Sequence, residues 1–254
     1  ADLADRGSLA DALGGADCVI HLAALPGGAA EADPGSSRAV NLDLPLNLID
    51  LLQGRRLVCA GSIAVFGSDL PPEVNDATPA RPASVYGTHK RMVELAFADA
   101  VRRGAIAGFM LRLPGIVARP PGAAGFGSAF LSEVFHAVRE RRPYVLPVGP
   151  DATSWLMSAP ACAANLVRAA LSPETSREAL TLPALRVRMG DLVEALARVG
   201  DASGIACSED ASLRRAFGSY PPLEAAAAEA FGFRADAGLA ALVEAAFALE
   251  PERT

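Results

Sequence analysis

Short apolar runs alternate with longer stretches of mixed polarity along this chain, and the two kinds of segment predict different elements. Residues 16–24, Ala16-Asp-Cys-Val-Ile-His-Leu-Ala-Ala24, predict a short buried strand ending on small side chains. The Pro26-Gly-Gly28 stretch reads as a loop. Over residues 40–53, Leu42, Leu46, Leu48, Ile49 and Leu52 form an apolar stripe at helical spacing. Pro45 falls near the start of that helix, where a missing N–H is tolerated, and Gly54 stops it. A buried strand at 57–60 follows, then a Pro-, Asp- and Glu-rich loop over 68–84. A helix at 85–102 ends at Gly104, and a strand at 109–113 comes next. Beyond it the pattern predicts a loop at 114–127, a helix at 128–140, a short strand at 144–147 and a helix at 159–171. A strand at 180–182 and helices at 190–199 and 223–231 predict a smaller lobe. Strand and helix in alternation predict an α/β fold with a parallel, doubly wound sheet.

One of these helices carries chemistry. Tyr86-Gly-Thr-His-Lys90 places a Tyr and a Lys four residues apart, 24 residues after Ser62. Residues i and i+4 share a helix face, so an ammonium lies one turn from the phenol and favours its phenolate. A Tyr so placed is a candidate general base. Ser62, at the end of Arg56-Leu-Val-Cys-Ala-Gly-Ser62, is a candidate to hold the substrate oxygen. Ligands of open α/β sheets bind beyond the carboxyl ends of strands, which is where Ser62 falls. Lys90 is the only Lys in the chain; the other basic side chains are Arg or His.

Composition narrows the function classes. The 254 residues are 51% hydrophobic with a formal net charge of −6, enough apolar material for a large core and the wrong sign for a nucleic-acid footprint. The four Cys (Cys18, Cys59, Cys162, Cys207) are widely spaced. They read as buried apolar residues of a reducing, cytoplasmic compartment. No apolar run approaches transmembrane length, and no metal-ligand pattern is seen. A glycine-rich phosphate loop after a strand is also missing. Gly122-Ala-Ala-Gly-Phe-Gly127 follows two prolines and reads as a loop. The expectation is that the first βαβ unit lies outside the printed sequence.

With these motifs the chain resembles the extended short-chain dehydrogenases/reductases, the NAD-dependent epimerase/dehydratase family. The resemblance rests on Val19-Ile-His-Leu-Ala-Ala24, Ser62-Ile-Ala-Val-Phe-Gly67, Tyr86-Gly-Thr-His-Lys90 and Leu111-Arg-Leu-Pro114. The Ser62–Gly67 run, Trp155-Leu-Met-Ser158 and Phe231-Gly-Phe-Arg-Ala-Asp236 are most similar to the D-erythronate dehydrogenase branch. The resemblance implies a Rossmann-like dinucleotide-binding domain over 1–150, N-terminally incomplete. Residues 151–254 would form mostly a substrate lobe, with some elements returning to the main domain. It implies Ser62, Tyr86 and Lys90 as catalytic residues, and NAD as cofactor, with NADP not excluded. It implies Asp2 and Leu3 at the adenine, Leu22, Ala23 and Ala24 at the ribose and phosphates, Asn41 near the cofactor, and Tyr86, Lys90 and Pro114 toward the nicotinamide. Ser62, Tyr86, Gly115 and Trp155 are the implied substrate residues. The activity implied is oxidation of a secondary hydroxyl of a small sugar acid, in a homodimer paired through the helices at 40–53 and 85–102.

Plainer readings stand beside these. Asp2 and Asn41 are also good helix caps. His21, at a strand end, reads as a satisfied core histidine rather than a catalyst, and Trp155 and Met157 as core. Arg141-Arg142 reads as a solvated helix end. Gly61 stands where many relatives have Ser or Thr, and Gly115 where nucleotide-sugar epimerases often have Asn. Thr153 replaces an expected Arg, with Arg119 the alternative partner for a substrate carboxylate. Two rival functions remain: a nucleotide-sugar epimerase or dehydratase, and a non-catalytic dinucleotide sensor.

Overall fold

A computed structural model describes residues 5–119 and 127–248. Asp5 caps α1 (Arg6–Ala12) by accepting the Ser8 N–H at 2.7 Å. β1 (Cys18–His21) follows; among the described residues it stands at one end of its sheet's strand order, with Ile20 39% exposed. Of its four residues only His21 is buried, which corrects the expected buried strand.

The next stretch is more helical than its apolar stripe predicts. It runs through α2 (Gly27–Ala32), α3 (Pro34–Arg38), a π turn (Ala39–Asp43) and α4 (Leu44–Leu51). Gly27 and Gly28 therefore open a helix and not a loop. Asp33 starts α3 by accepting the Ser36 N–H at 3.0 Å, with Pro34 in the first turn. Pro45 lies well inside this helical stretch rather than near its start. It has no N–H to return to the Asn41 carbonyl, and the turn before it is widened: the Leu44 N–H reaches back five residues to the Ala39 oxygen.

β2 (Arg56–Ser62) leads through a 3-10 turn (Ile63–Phe66) and a loop to α5 (Val85–Arg102), whose bounds match the expectation. Ser84 caps α5 by accepting the Gly87 N–H at 3.0 Å. β3 (Ala107–Leu113) follows. The interiors of β2 and β3 are buried throughout, as expected of parallel strands covered on both faces.

The chain continues through β4 (Gly115–Val117), α6 (Phe130–Arg139), β5 (Tyr144–Leu146), β6 (Thr153–Ser158) and α7 (Ala159–Leu171). It then passes through β7 (Leu180–Thr181), β8 (Leu185–Arg188), α8 (Met189–Leu196), β9 (Ile205–Cys207), α9 (Ala211–Phe217), α10 (Ala226–Ala230) and α11 (Leu239–Ala248). β4 occupies part of the predicted loop, and β6 is a strand the pattern does not announce.

Among the described residues, β1, β2, β3 and β7 form a parallel sheet in the order β1-β2-β3-β7. Its register sets His21 beside Cys59 and Ser62 beside Leu113. β6 pairs in parallel with β4 and antiparallel with β8, and β5 pairs in parallel with β9. The expected α/β fold with a parallel sheet is present.

Two compact units divide the chain. The first is Ala1–Gly67, Thr78–Leu113 and Asn165–Thr181; the second is Ser68–Ala77, Pro114–Ala164 and Leu182–Thr254. The division interleaves segments instead of falling at one boundary near residue 150. Leu48, Leu52, Leu57, Cys59, Phe97 and Met110 lie in the first core, and Phe135, Leu146, Leu156, Met189, Leu192 and Leu242 in the second. No helix among the described residues is long and apolar enough to cross a membrane.

Candidate functional site

Ser62, Tyr86 and Lys90 all belong to the first unit. Ser62 ends β2 in extended backbone, and its Oγ accepts the Ala64 N–H at 3.1 Å, starting the 3-10 turn. That bond uses a lone pair, so the hydroxyl hydrogen stays available to donate. Tyr86 sits half-buried in the first turn of α5, its hydroxyl without a hydrogen-bond partner among the described residues. Lys90 lies one turn on, only 4% exposed. Its Nζ donates to the Ala60 oxygen at 2.8 Å and lies 5.6 Å from the Tyr86 ring centroid. Gly87 makes this arrangement possible: a Cβ there would fall 2.5 Å from the Ala64 oxygen. Only glycine lets the start of α5 rest on the turn that follows Ser62.

An ammonium has three donors, and the Ala60 oxygen takes one. Two N–H directions on a buried cation are left for a hydroxyl-bearing ligand. A second unfilled atom lies at the end of β1. His21 is 5% exposed, and its Nε2 has no hydrogen-bond partner. Burial, helped by the charge of Lys90, pushes the imidazole down to about 4, so it is neutral at physiological pH. The reading of His21 as a satisfied core histidine is therefore half right: it is buried but not satisfied. The unfilled Nε2 of His21 at the carboxyl end of β1 and the spare donors of Lys90 fit a dinucleotide bound where such sheets take their ligands.

The chain after His21 is shaped for close approach. Leu22 is 54% exposed, and Ala23 and Ala24 present only methyl groups. Asn41 holds the next residue from both sides. Its Oδ1 accepts the Leu25 N–H at 2.9 Å, and its Nδ2 donates to the Leu25 oxygen at 2.8 Å and to Ser37 Oγ at 3.0 Å. Asn41 is fully buried within the π turn and caps no helix, which corrects the capping reading. Asp2 and Leu3 lie outside the described residues.

Sequence reasoning missed the groups that brace this site. Arg112 donates to both oxygens of Glu94, at 2.7 and 2.9 Å, and Arg91 adds a bond at 2.8 Å. Glu94 lies one turn beyond Lys90, and the Arg112 guanidinium stacks 5.0 Å from the Phe66 ring, in the turn after Ser62. Burial pushes the Cys59 thiol up to about 11, which marks it as inert.

Pro114, Gly115 and Trp155 belong to the second unit. Pro114 is buried between β3 and β4. A Cβ on Gly115 would fall 2.9 Å from the Trp155 oxygen, so this glycine serves the close pairing of β4 with β6. Trp155 is wholly buried; its Nε1 donates to the Pro221 oxygen at 2.7 Å and its ring lies 4.7 Å from that of Tyr220. Trp155 and Met157 thus follow the core reading, and the structure does not bring Trp155 to an open surface. Thr153 donates to the Tyr220 oxygen at 2.8 Å. Arg119 meets Ser128 and Ser132 through bonds of 3.1 to 3.5 Å. Arg142 pairs with Glu140 at the exposed end of α6. Among the described residues no group of His, Cys, Asp or Glu is placed to hold a metal ion.

Comparison with known proteins gives the family and the fold. The profile of the NAD dependent epimerase/dehydratase family matches residues 1–158. A D-erythronate dehydrogenase from Cupriavidus necator is 34% identical over 256 residues, covering 96% of this chain and 79% of that protein. Another from Haemophilus influenzae is 29% identical, covering 90% of this chain and 76% of that protein. Among solved structures, a nucleoside-diphosphate-sugar epimerase from Agrobacterium tumefaciens matches with a TM-score of 0.85 at 29% identity, over 96% of this chain and 76% of that one. A GalE-like L-threonine dehydrogenase from Cupriavidus necator matches with a TM-score of 0.87 at 21% identity, over 98% and 85%, a likeness of fold alone.

Proposed function

Because this chain belongs to the NAD dependent epimerase/dehydratase family, we propose that it is a dehydrogenase that oxidises a secondary hydroxyl of a small sugar acid such as D-erythronate. The carrying observation is a Tyr86 hydroxyl without a hydrogen-bond partner, one helical turn from a buried Lys90 ammonium with donors to spare. The names of the two relatives support the substrate class.

The bound dinucleotide supplies the hydride acceptor. Tyr86 takes the hydroxyl proton as general base. Ser62 donates its free hydrogen to the same oxygen, while the Ala64 N–H holds the Ser62 lone pair and so fixes its direction. Lys90, with two N–H groups beyond its bond to Ala60, would hold hydroxyls of the dinucleotide, and its charge would stabilise the tyrosinate. His21, neutral and with its Nε2 unpaired among the described residues, offers a further polar group to a ligand. NAD is the proposed cofactor, from the family; NADP is the competing ligand to test. A homodimer through α4 and α5 is proposed as well, since α5 exposes Met92 at 46% and Leu95 at 57%.

The test is NADH formation from NAD and D-erythronate, followed by absorbance, with Tyr86→Phe beside the wild type. The variant should lose roughly 10²–10⁴-fold in kcat, the range of a positioned acid–base group, and keep its dinucleotide affinity. Full turnover by Tyr86→Phe would refute the mechanism. Interconversion of nucleotide sugars without net NADH would instead support an epimerase, the reading that the Agrobacterium structure favours.

A further inference from the structure

We propose that His89 is a positioning residue for the dinucleotide: acting through Ser37, it holds the Asn41 amide that clamps the turn at Leu25. The inference rests on the cofactor reading above, but it concerns two side chains that the mechanism does not use.

Four groups stand in line. His89 Nδ1 lies 2.9 Å from Ser37 Oγ. Ser37 Oγ accepts from Asn41 Nδ2, and Asn41 holds both the N–H and the oxygen of Leu25. Counting protons fixes the directions of the Asn41 bonds. The Leu25 N–H must meet an oxygen, so Asn41 Oδ1 faces it. The two Nδ2 hydrogens then go to the Leu25 oxygen and to Ser37 Oγ. Ser37 Oγ keeps a hydrogen to give and a second lone pair, so it pairs with His89 Nδ1 in either tautomer of the imidazole. Ser37 and Asn41 are both fully buried, so water has no access to replace a lost partner.

The line joins two elements that the site needs in register. Ser37 and Asn41 are one turn apart, at the end of α3 and within the π turn. His89 directly precedes Lys90 on α5 and lines an open groove of about 480 Å³ with Glu31, Pro34 and Ser84. Leu25 directly follows Leu22, Ala23 and Ala24, the residues assigned to the cofactor. A side chain at position 89 that cannot hydrogen-bond leaves the buried Ser37 hydroxyl short of a partner, and the Ser37–Asn41 pair loses the bond that ties it to α5. The turn at Leu25 loosens although neither His89 nor Ser37 touches the ligand.

The experiment compares wild type, His89→Leu, His89→Asn and Ser37→Ala. Asn keeps an amide that can accept or donate near the place of Nδ1, whereas Leu keeps only bulk. NADH affinity is read from its fluorescence, and hydrogen exchange is followed at the Leu25 amide in the ligand-free protein. His89→Leu and Ser37→Ala should bind NADH about tenfold more weakly, the scale of one buried hydrogen bond. Both should exchange the Leu25 amide faster, and His89→Asn should restore both readouts to within about twofold. In turnover the loss should fall on KM for the dinucleotide and leave kcat nearly unchanged. Wild-type NADH binding with unchanged affinity and exchange in His89→Leu would overturn this inference alone. Failure of the wild type to bind NADH or NADPH would overturn the cofactor reading, and this inference with it. Equal losses in His89→Leu and His89→Asn would also count against it, since shape rather than hydrogen bonding would then be at work.

Discussion

Replacing Glu94 by Leu tests how α5 is held to the sheet. Glu94 is 1% exposed at its side chain and Arg112 10%, and two bonds of 2.7 and 2.9 Å join them. Removing the carboxylate strands a buried guanidinium, and breaking such a pair from one side costs about 3–5 kcal/mol. Arg91 adds little to that cost, because its side chain is 35% exposed and recovers water. A cost near ~4 kcal/mol is a large part of the ~5–15 kcal/mol that holds a domain together. At roughly 2–4 °C per kcal/mol for a chain of this size, Tm should fall by about 10 °C. The assay is thermal unfolding at neutral pH, run as a cycle with Arg112→Met and the double variant. Arg112→Met alone leaves the buried carboxylate with Arg91 as its one ion partner among the described residues and also loses the stacking on Phe66, worth about 1 kcal/mol. The double variant strands no charge, so it should be more stable than Glu94→Leu, with a coupling of about 2–3 kcal/mol. A Tm for Glu94→Leu within about 2 °C of wild type, or a double variant no better than Glu94→Leu, would refute the reasoning.

Two further outcomes follow from groups in the same unit. His21 is held down to about 4 in the fold, against its ordinary 6.5. From pH 6.5 down to about 4 the unfolded chain binds a proton that folded His21 refuses, so stability falls with pH across that window by about 3 kcal/mol; His21→Gln should flatten this part of the pH–stability curve, and an unchanged slope would sink the assignment. Gly87→Ala forces a Cβ to within 2.5 Å of the Ala64 oxygen, so the start of α5 must lift from the turn after Ser62. Overpacking of this kind costs about 1–3 kcal/mol, while a misplacement of about 1 Å can cost ~10²-fold in rate; kcat should therefore suffer far more than Tm, and equal effects on both would contradict the placement of Tyr86.

The legible parts of the fold were those with local signals. α5 was readable to its ends because Ser84 caps it, Gly104 follows it and its Tyr/Lys pair sets a helical period. β2 and β3 were readable as continuous apolar runs. β6 was not: Thr153–Ser158 is buried at every residue, so it shows no alternation to mark it as a strand. The π turn was hidden because one extra residue breaks the period that reveals a helix, and Pro45 then looks like a beginning. Ser62, Tyr86 and Lys90 were legible from spacing and residue type. Ser37, 52 residues from its partner His89, carries no local sign of its role. The orphaned Nε2 of His21 is likewise a property of packing, invisible in a string of letters.

Lys90 has a practical consequence. It is the only lysine in the 254 residues, and its amine is buried against the Ala60 carbonyl. Biosynthetic labelling with ¹⁵N-lysine therefore marks a single side-chain nitrogen in the whole chain, at the point where ligand is expected. Its resonance needs no assignment by mutation, and whatever occupies its two open N–H directions will move it. The arginines that make up the other strong cations stay silent in such a spectrum, so one signal reports on one site with no background from the surface.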